Sequence, residues 1–528
     1  MKKKVLAAFA LAVALPMAAQ DTYESARLLG SDLNGTARYV GMGGAMDALG
    51  ADISTISTNP AGIGLFRHSA VSASMGIVSQ QDVQKFDGLG KTNLSFDQLG
   101  FVYSMRIDRN SFINFGFNYH KSRNFDQILS VADHAVKDAS SNLLTAEKEN
   151  QGFYTMDYNR NNELVGYRNN REAHNFSQLD WLNANILSDE VPGDKDNIDL
   201  VLNPIAADTY NFDRAHRGWI SDFDFNVSGN SNDRFYWGFT AGFKSVNYKG
   251  RSGYAEGLAF LSGDDAGYLT YADERKITGT GLDLKAGIIF RPIEASPFRI
   301  GLSVATPTWY NLKSSNYTEV DNKSAMGETI DGGYTSGGNI ENTYEFKYYT
   351  PWKFGISLGH TIGTNIAIGA GYEYSNYSAS QNRVNDGYDY YNSSYIDENM
   401  KRNTELSLKG VSTLKVGAEI KPVPEVAIRL GYNYQTAAYD EKGVRDQTID
   451  SYGTYYASTS DYVNWEGTNR ITCGLGFKVD KMNIDLAYQY SATNGKFYPF
   501  QPDLAGTVKA ADVNNKRHQV LLTLGYTF

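Results

Sequence analysis

Cysteine is almost absent: Cys473 is the only one in 528 residues. A lone thiol forms no intramolecular disulfide, and no lipid-modified cysteine follows the N-terminal leader. Long apolar runs are missing too. Beyond the first 20 residues no stretch of 18 apolar residues occurs, which excludes a transmembrane helix. There is no excess of positive charge. Lys and Arg number 49 against 59 Asp and Glu, and the net charge of −10 argues against a nucleic-acid partner. The seven histidines are scattered, with no H-E-x-x-H or Cys/His spacing and no P-loop, so no metal or nucleotide cofactor is expected. Proline is scarce, at 12 residues, beside 51 Gly, 37 Tyr and 26 Phe.

What is present begins with a leader. Lys2, Lys3 and Lys4 precede an apolar segment from Val5 to Leu15, and Ala18-Ala19-Gln20 forms a small-residue cleavage zone. This is a secretory signal peptide over residues 1–20, with the cut after Ala19 or Gln20. The mean hydropathy of −0.42 resembles that of a soluble protein. An outer-membrane barrel gives the same average, because lipid-facing and lumen-facing residues alternate and cancel.

Period-2 segments recur from residue 69 onward. Fourteen are legible: 69–79, 96–107, 111–122, 219–229, 234–248, 277–290, 298–307, 343–360, 366–377, 404–420, 425–437, 464–479, 482–490 and 517–528. In one of them Phe235, Trp237, Phe239, Ala241 and Phe243 share a phase opposite Tyr236, Gly238, Thr240, Gly242 and Lys244. Such alternation marks half-buried strands. Lys244, Arg299, Glu373, Arg429, Lys478 and Asp485 all fall on the polar phase. A cation on a lipid-facing phase would cost about 2–4 kcal/mol at mid-bilayer. The connections alternate between short (108–110, 230–233, 291–297, 361–365, 421–424, 480–481) and long (80–95, 123–218, 249–276, 308–342, 378–403, 438–463, 491–516). An up-and-down outer-membrane barrel has short periplasmic turns and long extracellular loops, and an even strand number puts both termini in the periplasm. The last strand reads HQVLLTLGYTF, with Tyr526 and Phe528 on its apolar phase. This terminal aromatic pattern resembles the signal read by the barrel-assembly machinery.

Ahead of the strands lies ARYVGMGGAMDALGADISTISTNPAGIG, Ala37 to Gly64. Gly41, Gly43, Gly44 and Ala45, then Gly50 and Asp52, then Asn59, Pro60, Ala61 and Gly62 resemble the N-terminus of the FadL/OmpP1/TodX family. The resemblance implies a 14-stranded antiparallel transmembrane β-barrel plugged by an N-terminal hatch, here residues 21–68, with the barrel over 69–528. It also implies passive transport of long-chain fatty acids or similar hydrophobic molecules across the outer membrane of a Gram-negative bacterium, without a cofactor. Outer-membrane lipid and lipopolysaccharide would then be neighbours. Within the hatch, Asn59, Pro60, Ala61 and Gly62 are the candidate gating residues: Pro60 restrains Asn59, the Asn59 side chain bonds nearby backbone, and Gly62 and Gly64 free the chain to swing. The longest insertion, 123–218, follows the third strand, whereas the family's groove-forming loops follow the fifth and seventh.

Within that insertion Phe125, Ile128, Leu129, Ala132, Ala135 and Val136 follow helical spacing, as do Phe176, Leu179, Leu182 and Ile186. Partly helical extracellular loops are therefore expected. Leu258, Phe260 and Leu261 form an apolar cluster in the loop after the fifth strand and are the candidate ligand groove. Two other readings compete. Tyr388, Tyr390, Tyr391, Tyr395, Tyr452, Tyr455 and Tyr456 would suit a structural or adhesive barrel that binds glycans or a partner. Gly355-Ile-Ser-Leu-Gly359 matches G-x-S-x-G but lies within a strand, so an enzyme is not expected. Asp194, Asp196 and Asp199 read as solvated loop charges rather than a calcium site.

Overall fold

The computed structural model describes residues 20–192, 198–259, 265–324, 335–385, 393–502, 504, 506 and 508–528. The leader up to Ala19, Phe260 and Leu261, Asp194 and Asp196, and Tyr388, Tyr390 and Tyr391 lie outside the described residues.

Among the described residues fourteen antiparallel strands close into one barrel. They are β1 (Ala70–Gln80), β2 (Thr92–Asp108), β3 (Ser111–Asn124, continued by Gln127–Ala139), β4 (Ala207–Ser231), β5 (Phe235–Ala259), β6 (Asp265–Phe290) and β7 (Arg299–Ala305, continued by Trp309–Ser324). Then follow β8 (Thr335–Tyr349, continued by Lys353–Ile362), β9 (Ile366–Asn376, continued by Gln381–Asn385), β10 (Gly410–Val423), β11 (Val426–Gln435), β12 (Tyr462–Val479), β13 (Met482–Tyr498) and β14 (Ala511–Thr527). The seam runs between β1 and β14, from Ala70↔Thr527 to Gln80↔Arg517. Each of the fourteen alternating segments supplies one strand.

The two phases separate as the charges require. Phe101, Phe239, Phe243, Ile356, Leu358, Leu430, Leu522 and Leu524 face outward and are exposed. Asn114, Asn118, Asp224, Lys285, Lys415 and Arg429 face inward and are buried. An apolar band around a polar interior is the pattern of a barrel in lipid. No described helix is long and apolar enough to cross a membrane.

Several connections are shorter than their sequence suggests, because strands run on past the band. Residues 249–259 and 265–276 extend the β5–β6 hairpin, paired up to Ala259↔Asp265, and 309–324 and 335–342 belong to the upper parts of β7 and β8. The helix expected over 125–136 is a strand, paired with β4 from Gln127↔His216 to Ala135↔Thr209. It is covered on both faces only at its start, where Ile128 packs on Leu89 and Ala215 and Leu129 and Val131 pack on Phe212 and Phe497, whereas Ser130, Ala132 and Ala135 are exposed. Neighbouring Ile128 and Leu129 are buried on opposite faces, while Ala132 and Ala135, which completed the helical spacing, are exposed alanines. The second helix stands except for Phe176, which precedes its N-cap Ser177. α4 (Gln178–Leu187), the fourth of the helices after α1 (Thr22–Ala26), α2 (Ala37–Gly41) and α3 (Ser141–Asn150), carries a Ser177/Asp180 capping box and buries Leu179, Leu182 and Ile186. Residues 404–407, read as the start of a strand, end a helix instead, α5 (Glu398–Ser407), whose N-cap Asp397 accepts from the Met400 amide at 3.0 Å.

Residues 20–66 run inside the ring. Their bonds reach walls on opposite sides: Asn114 on β3 donates to Ile63 O at 2.7 Å, Thr240 on β5 to Ile56 O at 3.1 Å, Asn433 on β11 to Gly43 O at 3.2 Å, and Thr523 on β14 accepts from the Ala37 amide at 2.7 Å. The barrel strands begin and end at the short-turn end, as expected, but the described N-terminus does not lie there. Thr22 bonds Thr404 at 2.8 Å and Tyr344 donates to Gln20 Oε1 at 3.1 Å, both at the long-loop end. The segment therefore threads the lumen from the long-loop end to the short-turn end.

Candidate functional site

The NPAG stretch opens a short 3-10 helix, Pro60–Leu65, rather than an open loop. Asn59 is its N-cap. The side-chain oxygen accepts from the Ala61 amide at 3.2 Å, and the amide nitrogen donates to Asp47 O at 2.9 Å. Pro60 sits at the first position, where a missing N–H costs nothing. Asn59, Pro60, Ala61, Gly62, Ile63 and Gly64 are all buried. The glycines do not serve a swing. A Cβ on Gly62 would lie 2.4 Å from Thr55 Oγ1, and one on Gly64 would lie 2.7 Å from the Gly229 carbonyl oxygen. They are glycine because the turn is pressed against its neighbours.

Ion pairs hold the same segment to the wall. Arg38 donates to Glu419 from Nε and Nη2, at 3.0 and 3.1 Å, and Glu419 also takes Arg429 at 2.6 Å. Lys415 bridges Asp47 at 3.1 Å and Glu373. A similar ladder crosses β4 to β6, where Lys285 contacts Asp224 at 2.7 Å and Asp283 at 3.1 Å. His120, Asp222 and Asp224 converge there closely enough to ligate a metal. Lys244 and Lys285 already bridge those carboxylates, so a cation would have to displace two ammonium groups.

Above the tight turn lies a chamber of about 230 Å³ between the threaded segment and the wall. One part is aromatic, with Tyr23, Phe125, Tyr377, Tyr439, Tyr462 and Trp465. The other carries Arg27, Arg123, Arg214, Arg470 and Arg517. Arg214 pairs with Asp461. Among the described residues the other four form no ion pair with a carboxylate. Arg123 donates to Leu29 O at 2.9 Å, Arg470 to Asn433 Oδ1 at 2.9 Å, Arg27 to the Tyr248 hydroxyl at 2.8 Å, and Arg517 to Asp126 O. The buried Arg517 Nε has no hydrogen-bond partner. Sequence reading missed this cluster because five separate chain segments contribute to it.

The wall beside the chamber is incomplete. β2 and β3 pair only from Gln98↔His120 toward the short-turn end. Beyond that level the threaded segment takes the place of β2. The Asp32 amide donates to Ser122 O at 2.8 Å, and the Asp32 carboxylate accepts from the Asn124 amide at 2.8 Å. Asn34 bridges the slot, donating to Asp97 Oδ1 at 2.9 Å and Lys121 O at 3.0 Å. Leu94 and Phe96 on β2 are exposed on the outer surface at this height, so the slot opens within the apolar band.

Of the apolar groove after the fifth strand, only Leu258 is described. It is buried against Leu179, Leu182, Ile186 and Leu269 under α4, and does not line an open groove. Nearby Glu256 is fully buried well above the apolar band, taking the Ser141 amide and the Tyr254 hydroxyl on one oxygen. Its other oxygen has no partner. Burial pushes its carboxyl up from 4.5 to about 7. The folded loops therefore favour the neutral form. Their stability is full below the unfolded value near 4.5 and falls as pH rises through about 7. The loss amounts to about 3 kcal/mol. Protease nicking of residues 140–205 should accelerate from pH 5.5 to pH 8 in the wild type, and Glu256→Gln should abolish that dependence. Equal pH dependence in both proteins would show that another group titrates.

Ser357 of the G-x-S-x-G match is buried inside β8, with no turn or helix following it. Tyr455 and Tyr456 pack edge to face, and Tyr456 stacks on Tyr344 with ring centroids 4.2 Å apart, so these tyrosines are turned into the loops. At the other end, Tyr526 and Phe528 meet edge to face at 5.1 Å, and the Phe528 amide donates to Ser69 O at 2.9 Å.

No family model and no curated protein sequence matches the chain significantly. Solved structures do. The crystal structure of a Pseudomonas aeruginosa FadL homologue aligns over 94% of this chain and 99% of that one, with a TM-score of 0.53 at 10% identity. The CymD monoaromatic hydrocarbon channel aligns over 95% and 98% with a TM-score of 0.48 at 9% identity, and the Ralstonia pickettii toluene transporter TbuX over 94% and 99% with 0.47 at 11%. The chain has the FadL-type barrel fold.

Proposed function

We propose that this barrel is a passive outer-membrane transporter of hydrophobic small molecules, and that its preferred cargo joins an acidic head to an apolar body, as a long-chain fatty acid does. The chamber carries the reading: an aromatic wall faces four guanidinium groups that make no contact ion pair, although Asp32, Asp97 and Glu466 line the same space. Apolar cargo gains about 0.8 kcal/mol per methylene removed from water. A carboxylate gains charge-assisted bonds from the arginines. In this reading residues 21–68 are the hatch, anchored at Asn59, Pro60, Ala61 and Gly62, and the slot held by Asp32 is the way into the bilayer. Cargo opens it only by binding the open arrangement better than the closed one. No energy source is required.

The test is uptake in cells lacking their own hydrophobic importer. Wild type should import a long-chain fatty acid, and Arg470→Met should lower that import about tenfold, the loss of one charge-assisted bond of about 1.5 kcal/mol. Import of an uncharged alkane should be unaffected by that substitution. Vector-level import of both probes by wild type would overturn the transport reading. Equal loss of both would overturn the role given to the arginines.

We further propose that Tyr526 and Phe528 are read by the assembly machinery. Phe528→Ser should leave less heat-modifiable barrel in the outer membrane. Wild-type yield would reduce the terminal pattern to an ordinary strand end.

A further inference from the structure

We infer that the outer face of β4 to β7, beyond the apolar band at the long-loop end, binds lipopolysaccharide through the phosphates of its saccharide head. Arg217 on β4 stands in register with Lys249 on β5, and Lys249 with Lys276 on β6. All three share the outward phase of the exposed Trp219, Phe243 and Leu282. Arg251 is the next outward residue on β5, and Lys313 on β7 pairs with Thr278, two residues from Lys276. Like charges directly opposite one another destabilise a sheet. Five cations gathered on four neighbouring strands call for anions.

The protein supplies too few of them. Glu274 takes Lys249 at 2.8 Å and Arg251 at 2.6 Å. Asp87 takes Arg251 and, at 3.7 Å, Arg217. Among the described residues Lys276 and Lys313 form no ion pair, although Glu345 on β8 lies opposite Lys313 in register. Asp87 belongs to the connection between β1 and β2. That connection folds over the wall, with Leu89 on Ala215, and closes one side of the basic patch. The exposed Glu319 and Glu341 bound it on the other.

Height decides which anion fits. Six residues separate Phe243, the topmost phenylalanine on the outer face of β5, from Lys249. That is about 20 Å of strand, or about 15 Å of height at the tilt usual for a barrel. The polar zone of a phospholipid leaflet extends only about 5–8 Å past the hydrocarbon. A lipid that carries its phosphates on a large sugar head reaches the patch. In between, the exposed Ser245, Asn247 and Thr280 face outward and offer hydroxyl and amide groups to the sugar. Below them Phe223, Phe243 and Leu282 form the exposed apolar surface on which its acyl chains would lie. Long loops mark the extracellular side of such a barrel, the leaflet that holds this lipid.

Titration of purified lipopolysaccharide into the detergent-solubilised full-length barrel tests this. Lys249→Gln, Lys276→Gln and Lys313→Gln combined should weaken binding about a hundredfold. Heat-modifiable mobility should not change, because all three lie on the surface. Lys478→Gln with Lys481→Gln, exposed at the short-turn end, should bind as wild type does. Phosphatase treatment of the lipid should weaken its binding to wild type by a similar factor, a readout that needs no variant to fold. Neither inorganic phosphate nor phosphatidylglycerol should compete. Equal affinity of wild type and the triple variant, or equal weakening by the short-turn variant, would overturn the inference. So would indifference to phosphatase, or competition by inorganic phosphate or phosphatidylglycerol. Such a result would leave the transport reading untouched, since that reading rests on the chamber.

Discussion

Replacing Gly62 and Gly64 together by valine is expected to turn a closed barrel into a leaking one. The two positions have no room for a side chain. Thr55 Oγ1 lies 2.4 Å from where a Cβ on Gly62 would sit, and the Gly229 carbonyl oxygen lies 2.7 Å from one on Gly64. The second neighbour is wall backbone, which cannot rotate away. The turn must therefore lift off β4, and it carries with it the Asn59 bonds to Asp47 and Ala61. Overpacking of this kind costs about 1–3 kcal/mol per site. The barrel wall keeps its own hydrogen bonds and should insert at normal abundance. Single-channel recordings should change from closed to conducting, and cells should become sensitive to large hydrophilic antibiotics. Wild-type conductance at normal abundance would mean that the turn does not hold the lumen shut.

The second large effect concerns the outer face. Leu430 is 62% exposed on β11 and flanked outside by Ile428 and Tyr432. Were that face in water, Leu430→Arg would be nearly neutral or would improve solubility. Facing lipid near mid-bilayer, it costs about 2–4 kcal/mol. The variant should refold into lipid vesicles with a correspondingly lower unfolding free energy, and less of it should reach the outer membrane. Asn433, three residues along, points inward and donates to Gly43 O. Asn433→Ser should leave lipid partitioning unchanged. Equal refolding energetics for Leu430→Arg and wild type would refute the membrane-facing assignment.

The barrel was readable from sequence because lipid outside and charge inside impose opposite demands on alternate residues. Lys244, Arg429 and Asp485 mark the inward phase as firmly as Leu430 and Leu524 mark the outward one. Where that contrast fades, so does legibility. At the start of 127–139 Ile128 and Leu129 are buried on opposite faces of a strand, and with the exposed Ala132 and Ala135 they mimic helical spacing. The glycines of NPAG were read as freedom of φ, but they answer to close neighbours. The chamber left no local signature, since Arg27, Arg123, Arg214, Arg470 and Arg517 are adjacent only once the barrel closes. Nor does any pattern in Gln20–Glu24 announce that it ends at the long-loop end, because its partners Tyr344, Arg445 and Gly453 are hundreds of residues away.

The threaded segment joins β1 through only residues 67–69, and β1 forms half of the seam with β14. A chain passing from one mouth of the barrel to the other cannot be pushed in after the ring is sealed without drawing its buried ion pairs through a polar, crowded bore. Order of assembly follows from that geometry. A segment that threads the bore is placed most simply on the concave side of the unfinished sheet while β1 and β14 are still apart. Sealing the seam then becomes the last, committing step, so a chain whose inner segment cannot dock should stall as an open sheet with two unpaired edges.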